Sequence, residues 1–272
     1  MFWKKSKPVD GEARLWLVGA FAGAMVLNGL AGSSTVLGGV DTAAVSDSFP
    51  NLFAPSGVTF AIWGVIYTLI VGFILYTFGI GRPVKSAMTS VQLNTVMQLL
   101  TYNLVLNGIW ILVWQYKIIW LSVVLMIGIL FTLIRILDVL RRVEVRGLEY
   151  ALVRLPFSVY FGWITVATVA NVTTWLISIK WDGAGIREGV WIVAVLMIAA
   201  AIGIITALRN RDWAYLAVFV WAYAGILLKH LSPHGFAGMY PSTIITLTIL
   251  LAVLLTMTIQ LAREQFSVST KR

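Results

Sequence analysis

Eight apolar stretches, each long enough to cross a lipid bilayer, decide what this chain can fold into. The hydrocarbon core needs about 20 apolar residues per helical span, and backbone amides in lipid must find their hydrogen bonds within their own segment. The sequence is therefore predicted to be an all-α integral membrane protein of about eight transmembrane helices. The predicted spans are 14–35, 57–79, 92–115, 118–138, 148–178, 189–208, 212–229 and 240–261.

Composition agrees with this class. Hydrophobic residues make up 60% of the chain and charged residues only 11%, whereas a soluble domain carries about 25% charged residues. Cysteine is absent, which excludes disulfides, Cys-ligated zinc and iron–sulfur clusters. The net charge of +9 comes from Lys and Arg scattered through the loops, so the charge does not indicate nucleic-acid binding.

The distribution of Lys and Arg predicts the orientation. With the N-terminus in the cytoplasm, only four of the 20 basic residues fall outside, namely Lys117, Lys180, Arg187 and Lys229. Positive charge concentrates in cytoplasmic loops, so both termini are predicted to be cytoplasmic and the 36–56 loop to lie outside. The first span is longer than a signal-peptide core and is expected to be retained. A prokaryotic plasma membrane suits this pattern.

The fifth span carries a stripe of three dissimilar residues. Trp163, Ala167 and Asn171 stand at i, i+4 and i+8, which places them on one helix face. Trp163 offers a large flat ring, Ala167 leaves space beside it, and Asn171 carries a polar amide. This combination is more typical of a pocket wall than of a lipid-facing surface, because an amide that faces lipid costs several kcal/mol or so. The alternative is that Asn171 only bonds one helix to another.

Other spans bring similar residues to the same level of the membrane. Phe60, Trp63 and Tyr67 share one face, and so do Asn103, Asn107 and Trp110. At ~1.5 Å per residue, the Asn and Trp side chains of four spans lie roughly 8–12 Å from the outer ends. Because these side chains share one depth, the sequence predicts a pocket in the outer half of the membrane, under the 36–56 loop. The tryptophans near span ends are interpreted instead as membrane-interface anchors: Trp16, Trp114, Trp120, Trp181, Trp191 and Trp213.

Three motifs in order resemble those of the TspO/MBR family, which comprises the tryptophan-rich sensory proteins and the translocator protein. The run 55–67, with Trp63 followed by Tyr67, resembles the family's second helix. Asn107-x-x-Trp110 resembles its third helix, and Trp163-x-x-x-Ala167-Thr-x-x-Asn171 its fifth. Gly57 stands where the family usually has Trp, and Phe60 where it often has Pro.

The resemblance covers about residues 10–180 and implies a five-helix bundle that binds tetrapyrroles such as protoporphyrin, or lipids such as sterols. The first loop would cap the cavity. No cofactor is required by this reading, although a bound tetrapyrrole or lipid is expected. The resemblance also implies a homodimer, unless the additional helices cover that surface. The cavity-lining residues that it implies are Trp63, Tyr67, Asn107, Trp110, Trp163, Ala167 and Asn171.

Two units follow from this reading. Residues 1–180 are predicted to form the five-helix unit, and residues 181–272 a three-helix membrane extension. Gly203 and Gly225 predict close helix packing in the extension. Trp221 lies in the middle of a span, so it either packs against another helix or lines a second cavity.

A search for catalytic and metal-binding groups gives little. His230 and His234 are four residues apart, but Pro233 between them disfavours a continuous helix, and two ligands are too few for a closed metal site. Arg135 and Asp138 are predicted either to pair or to extend toward the membrane surface, and Glu149 is predicted to be solvated. No catalytic residue and no metal ligand is therefore assigned.

Three function classes stay open. The first is a membrane-embedded binding or sensory protein for a planar apolar ligand. The second is an enzyme that degrades or modifies a porphyrin-like ligand, an activity of some members of the resembled family. The third is a small-molecule transporter or permease component, although a mid-span carboxylate relay is missing. The predicted partners are the lipid bilayer and a small apolar ligand, with no nucleic acid.

Overall fold

The protein is described by a computed structural model over residues 9–32 and 36–270. Eight helices in this part are long and apolar enough to cross a membrane, and none of the described residues forms a β-strand. The prediction of an all-helical membrane protein is confirmed. The helices are α1 Gly11–Gly32, α2 Gly57–Thr77, α3 Ser90–Gln115, α4 Ile119–Leu140, α5 Gly147–Ser178, α6 Glu188–Asn210, α7 Trp213–Leu231 and α8 Pro241–Thr270.

Local sequence explains several helix boundaries. Thr89 and Gln92 form a reciprocal capping box at the start of α3, which satisfies two backbone N–H groups that a helix N-terminus leaves free. The Asp212 carboxylate accepts a hydrogen bond from the Tyr215 amide at the start of α7. Helix α5 contains a π-helical turn at Tyr150–Arg154 before the regular α-helix resumes at Leu155. A six-residue helix, Thr42–Asp47, lies within the first loop.

The first five helices close into a ring. Helix α1 packs against α2 and α3, α3 against α4, α4 against α5, and α5 returns to α2. The 36–56 loop lies at one end of this ring, called the loop end below. The connections α2–α3, α4–α5 and α6–α7 lie at the opposite end. This arrangement is the predicted five-helix bundle with three further helices.

Helix α7 attaches the three additional helices to the ring. It packs along α5 and reaches the first turn of α2, while α6 and α8 pack on its outer side. At Gly162 of α5, an added Cβ would lie 2.7 Å from the Tyr215 carbonyl oxygen, and at Gly225 of α7 it would lie 2.0 Å from the Thr59 hydroxyl. Helix α7 approaches both α5 and the first turn of α2 this closely because Gly162 and Gly225 carry no side chain. Close packing at Gly203 is also observed, against the Phe219 ring.

One charged residue differs from its predicted setting. Glu149 was expected to be solvated, but it is only 7% exposed and accepts hydrogen bonds of 2.6 Å from both the Tyr76 and the Ser86 hydroxyl groups. The prediction failed because these donors come from α2 and from the α2–α3 connection, which are far from Glu149 in sequence. Arg135 and Asp138 do approach each other, at 4.0 Å.

Candidate functional site

The aromatic side chains of α2, α3 and α5 form one cluster centred on Trp63. The Trp63 ring stacks on Tyr67 at a centroid distance of 5.4 Å and lies 6.5 Å from Trp110. It meets Tyr160 and Trp163 edge to face, at 5.8 and 6.4 Å. Edge-to-face and offset pairs at these distances are favourable for aromatic rings. The cluster therefore holds the three helices together as well as forming the wall of a site.

A small cavity of about 40 Å³ lies beside this cluster, toward the loop end. This volume exceeds the roughly 10–15 Å³ that one water molecule needs, but it is far below the ~300–1,000 Å³ of ordinary ligand pockets. The site is therefore closed in this conformation. Its lining residues are Ser46, Pro55, Phe60, Trp63, Trp110, Trp114, Met126, Trp163, Val166, Ala167, Ala170, Asn171 and Thr174.

The seven predicted site residues separate into two groups. Five line the cavity: Trp63, Trp110, Trp163, Ala167 and Asn171. The other two lie outside the lining. Tyr67 stacks against Trp63 one turn deeper in α2, and Asn107 donates a hydrogen bond of 3.2 Å to the Tyr160 hydroxyl. Their role toward a ligand stays a prediction.

The amide of Asn171 bonds three helices together. Its Oδ1 accepts from the Trp110 indole at 3.3 Å, and its Nδ2 donates to the Ser122 hydroxyl of α4 at 2.8 Å. Asn107 has a similar position, because its Oδ1 also accepts from Asn28 of α1 at 3.5 Å. The geometry thus favours the interhelical reading of both amides over direct contact with a ligand.

Replacing Asn171 with leucine is expected to lower the free energy of unfolding by about 1–3 kcal/mol, because the buried Trp110 N–H loses its acceptor. Thermal unfolding of the purified protein without ligand measures this change. Thr256→Val is the matched control, since Thr256 is exposed and bonds only to Ala252 of its own helix. An Asn171→Leu protein as stable as the control would rule out the interhelical role.

Two buried donors in the cluster have no partner among the described residues. They are the indole N–H of Trp163 and the hydroxyl of Tyr67. Trp163 is only 3% exposed, so bulk solvent does not satisfy its N–H. Buried donors are nearly always bonded in native proteins, which makes an unpaired one at the edge of a cavity a functional signal.

The first loop covers the loop end of the cavity and is held by polar contacts to the ring. Asn51 donates to the Thr173 and Thr174 hydroxyl groups at 2.8 and 3.2 Å. Gln115 at the end of α3 donates to the Val40 carbonyl at 2.8 Å. Trp114 donates to the Thr42 carbonyl at 3.2 Å. The loop is thus fixed over the site by both α3 and α5.

Helix α7 also holds this loop. Lys229 forms an ion pair of 2.6 Å with Asp47, and His230 bonds to the Leu52 carbonyl at 2.9 Å. The Gly225 carbonyl accepts from the Ser56 amide at 3.0 Å. The Trp221 indole donates to the Thr59 carbonyl at 2.9 Å, which is a packing role. The additional helices therefore contact the 36–56 loop, which covers the site.

The two histidines have different surroundings. His230 is fully buried and uses Nε2 for the bond to Leu52, whereas His234 is exposed in the turn beyond α7. Within residues 9–32 and 36–270, no group of three or more His, Asp or Glu side chains is arranged to hold a metal ion. The predicted interruption of α7 before Pro233 is observed, since the helix ends at Leu231.

Sequence reasoning missed three residues of the site. Tyr160 contacts Trp63 and Asn107, and its position three residues before Trp163 was a usable signal. Trp114 was interpreted as an interface anchor, but it is buried and stacks on Trp110 at 5.5 Å. The sequence did contain a usable signal, because Trp114 is four residues from Trp110 and therefore lies on the same helix face. Ser122 has no signal, because one serine in an apolar span shows no preferred partner.

Comparison with known proteins places these features in a family. A family model described as TSPO-like protein matches residues 14–261. The match continues past residue 180, so it includes helices α6 and α7 and most of α8. No curated protein and no solved structure matches the chain.

Proposed function

Because the chain belongs to the TSPO-like family, we propose that this integral membrane protein is a binding or sensory protein for a planar apolar ligand. The ligand class is a tetrapyrrole such as protoporphyrin, or a sterol or similar lipid. It binds among the aromatic rings of α2, α3 and α5, beneath the 36–56 loop. The proposal combines family membership with the geometry of the aromatic cluster.

One observation carries the proposal. An apolar cavity is bounded by Trp63, Trp110 and Trp163, and the buried N–H of Trp163 has no partner among the described residues. Leaving such a donor unpaired costs about 1–3 kcal/mol. A ligand with a carboxylate or carbonyl oxygen recovers this energy by accepting from the indole, while its flat face stacks on the rings. A ligand that is planar, apolar and edged with an acceptor fits both features.

Binding requires the site to open. A cavity of about 40 Å³ does not contain a macrocycle, so rings must rotate and the loop must lift. Phe60 and Trp63 are half-buried, whereas the other aromatic rings that line the cavity are buried. Phe60 meets Trp163 edge to face at 5.9 Å, so its rotation uncovers the Trp163 ring. The measured affinity then includes the cost of populating the open state.

The predicted site residues divide by role under this proposal. Trp63, Trp110 and Trp163 stack on the ligand, and Ala167 provides space beside them. Asn107, Asn171 and Tyr67 hold the rings in place from behind. The amides keep their protein partners, since a ligand that displaced them would leave the Trp110 N–H unpaired.

Replacing Trp163 with phenylalanine is expected to weaken protoporphyrin binding about fivefold or more, because the indole N–H and part of the stacking surface are both lost. Titration of the purified protein, followed by the absorbance shift of protoporphyrin, measures the affinity. Without ligand, the smaller ring loses packing against Phe60 and Trp63, and the removal of an unpaired buried donor offsets part of that loss of stability.

Trp120→Phe is the control for this titration, because Trp120 is exposed on α4 and lies outside the cavity. Equal saturable affinity in both variants would remove the Trp163 N–H from recognition. Linear uptake that neither substitution changes would mean partition into detergent, and would overturn the proposed function.

A further inference from the structure

A second, larger cavity of about 820 Å³ lies at the end of the bundle opposite the loop. It is open to the outside of the protein and is bordered by the α4–α5 connection, the π-helical turn of α5, the α6–α7 connection and the last turns of α8. Its lining residues are Leu140, Arg141, Val143, Glu144, Val145, Arg146, Gly147, Tyr150, Arg154, Arg209, Asn210, Arg211, Asp212, Leu261, Glu264, Gln265 and Phe266. None of them belongs to the aromatic cluster.

Five arginines surround this cavity, against three carboxylates. Arg154 forms an ion pair of 3.5 Å with the buried Asp212, and Arg146 forms one of 3.6 Å with Glu144. Arg209 and Arg211 form no ion pair with another residue of the described part, and both are exposed. Guanidinium groups without a carboxylate partner are suited to phosphate, because their planar fork donates two parallel hydrogen bonds.

Part of the cavity lining is apolar. Leu140, Val143 and Leu261 are buried, and the exposed ring of Phe266 extends the wall along α8. Helix α4 ends at Leu140 and α7 begins at Trp213, so the cavity lies where membrane-spanning segments end and phospholipid headgroups are found. A free phosphate ion would fill only a small part of the cavity and leave the apolar wall in water.

We propose that this cavity binds an anionic phospholipid, with the phosphate headgroup on Arg209 and Arg211 and the acyl chains along Leu261 and Phe266. Basic pockets between transmembrane helices at such a level are suited to anionic headgroups, and the volume lies in the usual range of ligand sites. A lipid in this position joins the α6–α7 connection to the last turns of α8, which are about 50 residues apart in sequence. Bound lipid therefore stabilises the folded protein.

The test measures thermal unfolding of the full chain in detergent while phosphatidylglycerol is added. We expect a saturable increase in the melting temperature, and none with phosphatidylcholine of the same acyl chains. Inorganic phosphate and glycerol 3-phosphate are added separately, and neither is expected to stabilise the protein at the same concentrations. An equal effect of these soluble anions would show that the site binds free phosphate, and would overturn the lipid assignment.

Substitutions of arginines then test whether phosphatidylglycerol stabilises the protein by binding in this cavity. Arg209→Gln with Arg211→Asn is expected to raise the half-saturating concentration of phosphatidylglycerol by about tenfold or more; asparagine suits position 211, whose φ is 48°. Arg142→Gln with Arg263→Gln is the matched control, since both residues are exposed at the same end but do not line the cavity. Equal weakening in the control pair would mean nonspecific charge attraction and would overturn the proposal.

Single variants protect the test against a loss of folding. Arg209→Gln and Arg211→Asn each remove one of the two guanidinium groups that have no ion-pair partner among the described residues. If the double variant lowers the melting temperature without lipid, each single variant is expected to raise the half-saturating concentration of phosphatidylglycerol by a smaller factor. An unchanged response in two well-folded single variants would overturn the proposal.

Discussion

Replacing Asp212 with alanine is expected to lower the free energy of unfolding by about 3–5 kcal/mol, since removing one partner of a buried ion pair leaves the other charge uncompensated. Asp212 is 4% exposed and Arg154 13%. The same carboxylate accepts a hydrogen bond of 2.6 Å from Ser158 of α5 and caps the first turn of α7. The loss of the cap adds about 1 kcal/mol. One side chain thus fastens α7 to α5 at the end opposite the loop.

Thermal unfolding in detergent measures this change, with two further variants for comparison. Asp138→Ala removes a carboxylate that lies near Arg135 and Arg141 but is 39% exposed, and its cost is expected to be below about 1 kcal/mol. Asp212→Asn keeps an oxygen for the cap and loses the charge, so it should fall between the two. If Asp212→Ala and Asp138→Ala lowered the melting temperature by the same amount, burial would not strengthen the ion pair between Arg154 and Asp212.

Replacing Gly162 with alanine is expected to destabilise the protein by about 3 kcal/mol, at the upper end of what one extra methyl group costs in a packed interior. The new Cβ would lie 2.7 Å from the Tyr215 carbonyl oxygen and 2.9 Å from the Val218 Cβ. Neither overlap is relieved by rotating a flexible side chain, because both atoms belong to or adjoin the backbone of α7. The two helices must therefore move apart.

Gly23→Ala is the control for this substitution. Gly23 is also inside a helix, but an added Cβ there meets nothing within 4 Å, so alanine is expected to stabilise by about 0.5–1 kcal/mol. The two substitutions are chemically the same and should change the melting temperature in opposite directions. Destabilisation of similar size in both proteins would mean that helix separation at Gly162 is not the cause.

Both predictions concern the attachment of α7, and this attachment reaches the candidate site. The far end of the same helix holds the 36–56 loop through Lys229, His230 and Gly225. Under the proposed function, a variant that separates α7 from α5 is therefore expected to change ligand entry as well. In this TSPO-like chain, helix α7 fixes the 36–56 loop as well as extending the membrane-embedded part.

The sequence by itself determined the number of helices and much of the aromatic cluster. Span length and the 3.6-residue period are local properties, so they predicted the eight helices and placed Trp63, Trp110 and Trp163 on faces that do meet. The Arg135–Asp138 contact followed in the same way, because both residues lie on one helix.

Only the tertiary structure decided which polar groups find partners. Glu149 is buried by Tyr76 and Ser86, and the Asn171 amide bonds to Trp110 and Ser122. The Trp163 N–H has no partner within residues 9–32 and 36–270. It also decided that the aromatic rings nearly fill their own cavity, and that arginines of the α4–α5 connection, helix α5 and the α6–α7 connection border another. The physical reason is that hydrogen bonds and cavities depend on distances between helices, to within about 1 Å. Hydrophobic patterning specifies which face of a helix is buried, but not how closely two faces approach.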